Sequence, residues 1–186
     1  MRTRHLCGML LFFLWSGTLH SQIVYSHGFT KKLKRAGLEF IEPVEGFYKV
    51  RLLRKDEFLR YDMVVHSEEK QLEMRFVIDP RYALETPHIT FFNLATSLAT
   101  NEQRFNIKMN VLATEEAKSV YGADWAAYSD FIPKRSLSNM YYARLLTLFH
   151  QQKGIAHQIL LFNRYDDELN MRLRTISFLP ASNDAD

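Results

Sequence analysis

Residues 139–163 read "NMYYARLLTLFHQQKGIAHQILLFN". Two apolar runs, "NMYYARLLTLFH" and "IAHQILLFN", are divided by the polar tetrapeptide "QQKG", whose Gly154 can take a positive φ, so the spacing predicts two strands joined by a tight hairpin. Neither run keeps a polar face. Strands apolar on both sides lie centrally in a sheet with helices over each face.

Moving toward the N-terminus, "DWAAYSDFI" (124–132) predicts a further strand with Trp125, Ala127 and Phe131 at alternate positions. Before it, Thr114 opens a small helix, "TEEAKSVYG": the Thr114 hydroxyl can accept from first-turn amides, Glu115 and Glu116 favour the positive end, and Gly122 can supply the left-handed stop. "RFNIKMNVL" alternates through Phe105, Ile107, Met109 and Val111 and predicts a strand. "PHITFFNLATSLATN" (87–101) spaces Ile89, Phe92, Leu94, Ala95, Leu98 and Ala99 by threes and fours, a helix started by proline.

Earlier still, "QLEMRFVIDP" puts Leu72, Met74, Phe76 and Ile78 on one face, and "FLRYDMVVHS" does the same for Leu59, Tyr61, Met63 and Val65. The two predict a hairpin with one wet side. "LEFIEP" and "FYKVRLL" read as strands around the turn "PVEG", and "GFTKKLKRA" (28–36) as a short basic helix ending at Gly37. At the other end, "YDDELNMRLRTISFL" carries Leu169, Leu173 and Ile176 on one side behind Asp166 or Asp167 as a cap, and predicts a C-terminal helix. The order is helix, four strands, helix, strand, helix, three strands, helix. It predicts an α+β domain, a mainly antiparallel sheet of about six to eight strands flanked by helices.

This order resembles the Mog1/PsbP-like fold, an α/β/α sandwich. The segments "YGADWAAYSDF" and "ARLLTLFHQQKGIAHQILLFN" are similar to those of secreted bacterial proteins of unassigned activity that carry a signal peptide and one such domain. The resemblance spans most of residues 38–178. It implies an accessory or binding role and transfers no catalytic residue.

"MRTRHLCGMLLFFLWSGTLHSQ" has Arg2 and Arg4, an apolar stretch from Leu6 to Trp15, then small and polar residues, the layout of a secretory signal peptide. The apolar stretch is about half the roughly 20 residues of a membrane-spanning helix, so no stable transmembrane anchor is expected after cleavage. A cut after Ser21 is expected, with a cut after Gly17 as the alternative. The protein is then periplasmic or extracellular, with residues 1–21 as signal, 22–37 as a basic N-terminal segment, 38–179 as one domain and 180–186 as a polar tail.

Removing 21 of the 186 residues leaves 165, enough for a single core. It also leaves 22 basic and 21 acidic side chains, a formal charge of +1. So even a balance supplies no whole-protein field for nucleic acid or an anionic membrane. The single cysteine, Cys7, leaves with the signal, so no disulfide holds the domain and no thiol nucleophile remains.

Chemistry-bearing motifs are scarce. No G-x-S-x-G, G-x-x-x-x-G-K or G-x-G-x-x-G occurs, and no H-x-x-x-H or C-x-x-C offers a metal framework. His150 and His157 flank the predicted hairpin turn, with His157 opposite Leu148. They share a point only if both face one side, and no catalytic residue, metal or cofactor is expected. Trp125 reads first as core. A binding alternative sets Asp124, Trp125 and Tyr128 at the mouth of a cleft, an aromatic platform with a carboxylate beside it. Lys31, Lys32, Lys34 and Arg35 form a second candidate surface for an acidic partner, an envelope polymer or lipid headgroups.

The sequence thus favours an exported, non-catalytic binding or accessory protein that meets another exported protein or a small ligand. The competing reading is an envelope-associated hydrolase drawing on Asp124, Asp130 and His150. An assembly subunit, the third, would show a large exposed apolar patch.

Overall fold

The structure, a computed structural model, describes residues 25–43, 49–51, 59–69, 71–82, 86–104 and 106–180. Along the chain run α1 (His27–Arg35), β1 (Leu38–Phe40), β2 (Lys49–Val50), β3 (Met63–Ser67), β4 (Leu72–Asp79), α2 (Pro87–Leu98), β5 (Asn110–Val111) and α3 (Thr114–Tyr121). There follow β6 (Trp125–Phe131), β7 (Tyr142–His150), β8 (Gly154–Phe162), α4 (Leu169–Arg172), a 3-10 turn (Leu173–Thr175) and β9 (Ile176–Phe178).

The two apolar runs form β7 and β8, paired from Tyr142 with Phe162 to His150 with Gly154. Every residue of β8 is buried, and β8 is the fourth of seven strands in the order β2-β3-β4-β8-β7-β6-β5. All neighbours are antiparallel. The sheet is therefore two meanders, β2 to β4 and β5 to β8, sewn together by the β4–β8 ladder, with α2 carrying the chain from one to the other. Gly154 takes φ +101°, and a Cβ there would stand 2.3 Å from the Asp79 carbonyl oxygen. Only glycine lets β4 and the β7–β8 turn approach this closely.

Both faces are covered, so the chain is an α+β domain with helices on each side of one antiparallel sheet. On one face Leu72, Met74, Phe76 and Ile78 of β4 pack with Leu146, Leu148 and Leu160 beneath α1, α3, α4 and a β1–β9 ribbon. On the other, Val64, Ala127, Leu145 and Ile159 pack against Phe91, Ala95 and Leu98 of α2. α1 begins where Ser26 Oγ accepts from the Phe29 amide at 3.2 Å, and it drops the buried Phe29 among Tyr25, Phe40 and Phe76.

Several expectations are corrected. β1 pairs with β9, across most of the chain, and not with a neighbour across "PVEG"; residues 44–48 of that turn lie outside the described residues. The helix expected over the last segment stops at Thr175, and Ile176–Phe178 is strand, because β1 offers it an unpaired edge. Its cap position is Glu168, while Asp166 accepts from the Glu168 amide at 3.1 Å. The cap of α3 is Ala113, so the Thr114 hydroxyl does not cap it.

In α2 the buried stripe is Pro87, Phe91, Ala95 and Leu98, leaving Ile89 and Phe92 exposed. Of "RFNIKMNVL", only Asn110–Val111 is strand, Ile107 and Met109 pack toward the α2 side, and Phe105 lies outside the described residues. Tyr61 and Leu59 precede β3 and pack on the α2 face, opposite Met63 and Val65. That face is not wet: Arg75 is 5% exposed, donating to the Tyr61 hydroxyl at 3.1 Å and the Leu137 carbonyl at 2.9 Å, and Val64 beside it is buried.

Candidate functional site

Where β6 begins and β7 ends, the sheet opens into a recess of about 380 Å³ lined by Pro87, His88, Asp124, Trp125, Phe149 and Gln151. Three local features build it. Gly122 ends α3 in the left-handed conformation at φ +59°, which turns the chain into β6. Trp125 then pairs with Phe149, and both side chains turn to the α2 face. Pro87, whose missing amide costs nothing at a helix start, begins α2 above them. Phe91 backs the wall, its ring 6.3 Å from Trp125 and edge-on, while Tyr82 meets Phe149 edge-on at 5.9 Å.

Asp124 supplies the carboxylate at the mouth. Its amide donates to the Phe149 carbonyl at 2.8 Å, and its Oδ2 accepts from the Gln151 amide at 2.9 Å. The side chain remains 45% exposed. The recess thus offers two aromatic rings, an imidazole at His88 and a fixed carboxylate. It suits a small ligand or a projecting side chain with an apolar body and a donor or cation.

Of the predicted cleft, Asp124 and Trp125 come together and Tyr128 does not. Three residues along a strand reverse the face, so Tyr128 lies on the α1 side of the sheet, with the Arg144 guanidinium 5.2 Å from its ring centre. Sequence reasoning missed Phe149, Pro87, His88 and Gln151. The signal for Phe149 was its place beside the hairpin turn, and for Pro87 its place at a helix start.

Of the dispersed acid/base set, Asp124 and His150 come together and Asp130 does not. His150 Nδ1 lies 3.5 Å from Asp124 Oδ2, but it accepts from the Gln152 amide at 3.2 Å, and the ring lies against Phe178, 5.4 Å between centres. Burial lowers the His150 pKa, with Asp124 opposing and Lys153 adding to the shift, so the ring is neutral at pH 7. Asp130 stands six residues from Asp124, about 20 Å along the strand, gripped by Arg144 at 2.6 and 2.8 Å.

The histidine register is also corrected. His157 stands opposite Thr147 and not Leu148, and it faces α2 while His150 faces Phe178. Among the described residues no three His, Cys, Asp or Glu side chains converge as a metal site would require.

In the basic segment, Lys31, Lys34 and Arg35 are exposed. Lys32 is not a free contact: its Nζ donates to the Ile78 carbonyl at 3.0 Å and pairs with Asp62 at 2.7 Å, tying α1 to β4. Among the described residues no helix is long and apolar enough to cross a membrane. Comparison with protein-family models, curated proteins and solved structures gave no match.

Proposed function

We propose that the chain is an exported, non-catalytic binding or accessory protein that takes a small ligand, or a side chain of an exported partner, in the recess at Trp125. The observation that carries this reading is the recess itself. Trp125 is half-buried there and backed by the buried rings of Phe91 and Phe149, and the Asp124 carboxylate at its mouth is already committed to the Gln151 amide. The layered arrangement is the one expected of a Mog1/PsbP-like domain, and that kinship belongs to the proposal. Lys31, Lys34 and Arg35 form its accessory contact for an acidic partner.

The test uses a feature of the sequence. From Gln22 onward Trp125 is the only tryptophan, so its emission reports the recess alone. Fractions of the exported material of the source cells are titrated into the mature chain and into Asp124→Arg. A fraction that shifts or quenches emission saturably in the first and not in the second supports the reading. If no fraction does so, the recess is not a binding site.

A further inference from the structure

At the far end of β7, about 23 Å from the recess, a second group of side chains lies on the opposite face of the sheet. Tyr142 opens β7, Phe162 closes β8, and Tyr165 follows in the next loop, their rings 4.9 to 5.8 Å apart. Phe162 is buried and props the other two, which stay 36% and 52% exposed. Beside them Arg144 is fixed by two bonds to Asp130 and one, at 2.9 Å, to Asn170. The Tyr142 and Tyr165 hydroxyls and the Asn170 amide donors have no protein partner among the described residues.

We infer that Tyr142, Tyr165, Arg144, Asp130 and Asn170 form a docking face for a neutral saccharide. Two properties of the cluster select that chemistry. First, its charge is cancelled: Arg144 is neutralised by Asp130 in a two-pronged pair, so neither a polyanion nor a polycation finds an uncompensated partner there. Second, flat apolar ring faces lie directly beside planar polar groups held in place. A pyranose ring presents that pairing in reverse, an apolar C–H face and a rim of neighbouring hydroxyls that bridge the two atoms of a carboxylate or an amide. The phenol hydroxyls and the Asn170 amide supply donors, and the second lone pairs of Asp130 supply acceptors. Ordering these side chains before binding reduces the entropy lost on association.

The test is calorimetric titration of the mature chain with cellohexaose, chitohexaose, maltohexaose and laminarihexaose. At least one is expected to bind saturably, with Tyr142→Ala and Tyr165→Ala each weakening it about tenfold, Tyr165→Phe weakening it less than Tyr165→Ala, and Ile89→Ala, exposed on α2, leaving it unchanged. Far-ultraviolet circular dichroism checks that each variant is folded. Absence of saturable binding by all four sugars overturns the inference, as does binding indifferent to both tyrosines. So does retention of a protein by this face with no sugar bound.

Discussion

The Nδ1 of His157 lies 2.8 Å from the Oγ1 of Thr147, its cross-strand partner, on the α2 face of the sheet. Burial pushes the imidazole pKa down to about 4 against a weaker opposing pull from Asp79. The unfolded chain, with an ordinary histidine pKa of about 6.5, therefore takes up the proton first. His157 contributes stability in full above pH 6.5 and loses it as pH falls toward 4, about 3 kcal/mol in all. His150, lowered in the same direction, adds to the trend. Denaturant midpoints measured from neutral pH down to pH 4 should fall over this window, and His157→Gln should flatten the fall. A wild-type curve level to pH 4 would contradict the burial of a neutral His157.

Gly122 supports the β1–β9 ribbon as well as the entry to β6. A Cβ at this position would meet the Phe178 carbonyl oxygen at 2.3 Å, and the backbone is already left-handed at φ +59°. Gly122→Ala combines a conformational penalty of about 1 kcal/mol or more with a contact that requires β9 to move. Thermal unfolding should show a loss of at least about 2 kcal/mol, whereas Gly28→Ala, where a Cβ would meet Ser26 Oγ at an unstrained 4.0 Å, should cost little.

Gln158 is a buried polar group of the central strand β8, on the α1 face. Its Nε2 donates to the Arg172 carbonyl at 2.7 Å and to Thr175 Oγ1 at 2.9 Å, which fastens α4 and the 3-10 turn onto β8. Gln158→Leu keeps the volume but removes both donors from a buried site, and about 2 kcal/mol of stability should go with them. Hydrogen exchange should then accelerate in α4 and β9 before the rest of the sheet; uniform acceleration would show that this contact is not a local fastening.

Arg75 is buried and hydrogen-bonded on three sides, to Glu73, Tyr61 and the Leu137 carbonyl. Arg75→Met leaves Glu73 beside β3 with Arg51, at 3.4 Å, as its remaining cation among the described residues. A loss of about 3 kcal/mol is expected in urea unfolding. Arg75→Lys should recover little of it, since an ammonium cannot reach the three partners at once.

The centre of the fold was legible because its signals are local. The runs at 142–150 and 154–162 are long, apolar on both faces and divided by a glycine turn, and those features alone require a covered central hairpin. The ribbon of β1 with β9 was not, because it joins Leu38 to Phe178 and its second strand carries Ile176 at the spacing of the helix before it. The faces of α2 and the burial of Arg75 depend on which element lies opposite, which no window of sequence contains. At the site, Asp124 and Trp125 were visible as a turn followed by a strand. Tyr128 was placed against the strand's own alternation, since positions 125 and 128 point to opposite faces. Phe149 and Pro87 reach the recess only through tertiary packing.

The measurement that bears most directly on the proposed binding role is affinity capture by residues 22–186, taken as the mature chain, out of the exported fraction of the source cells, followed by mass spectrometry of proteins and small molecules retained. The account predicts a stoichiometric companion that Asp124→Arg loses, and whose retention Lys31→Glu with Lys34→Glu and Arg35→Glu weakens if it is an acidic protein. A mature chain that retains nothing, or a companion held equally well by Asp124→Arg, would contradict it.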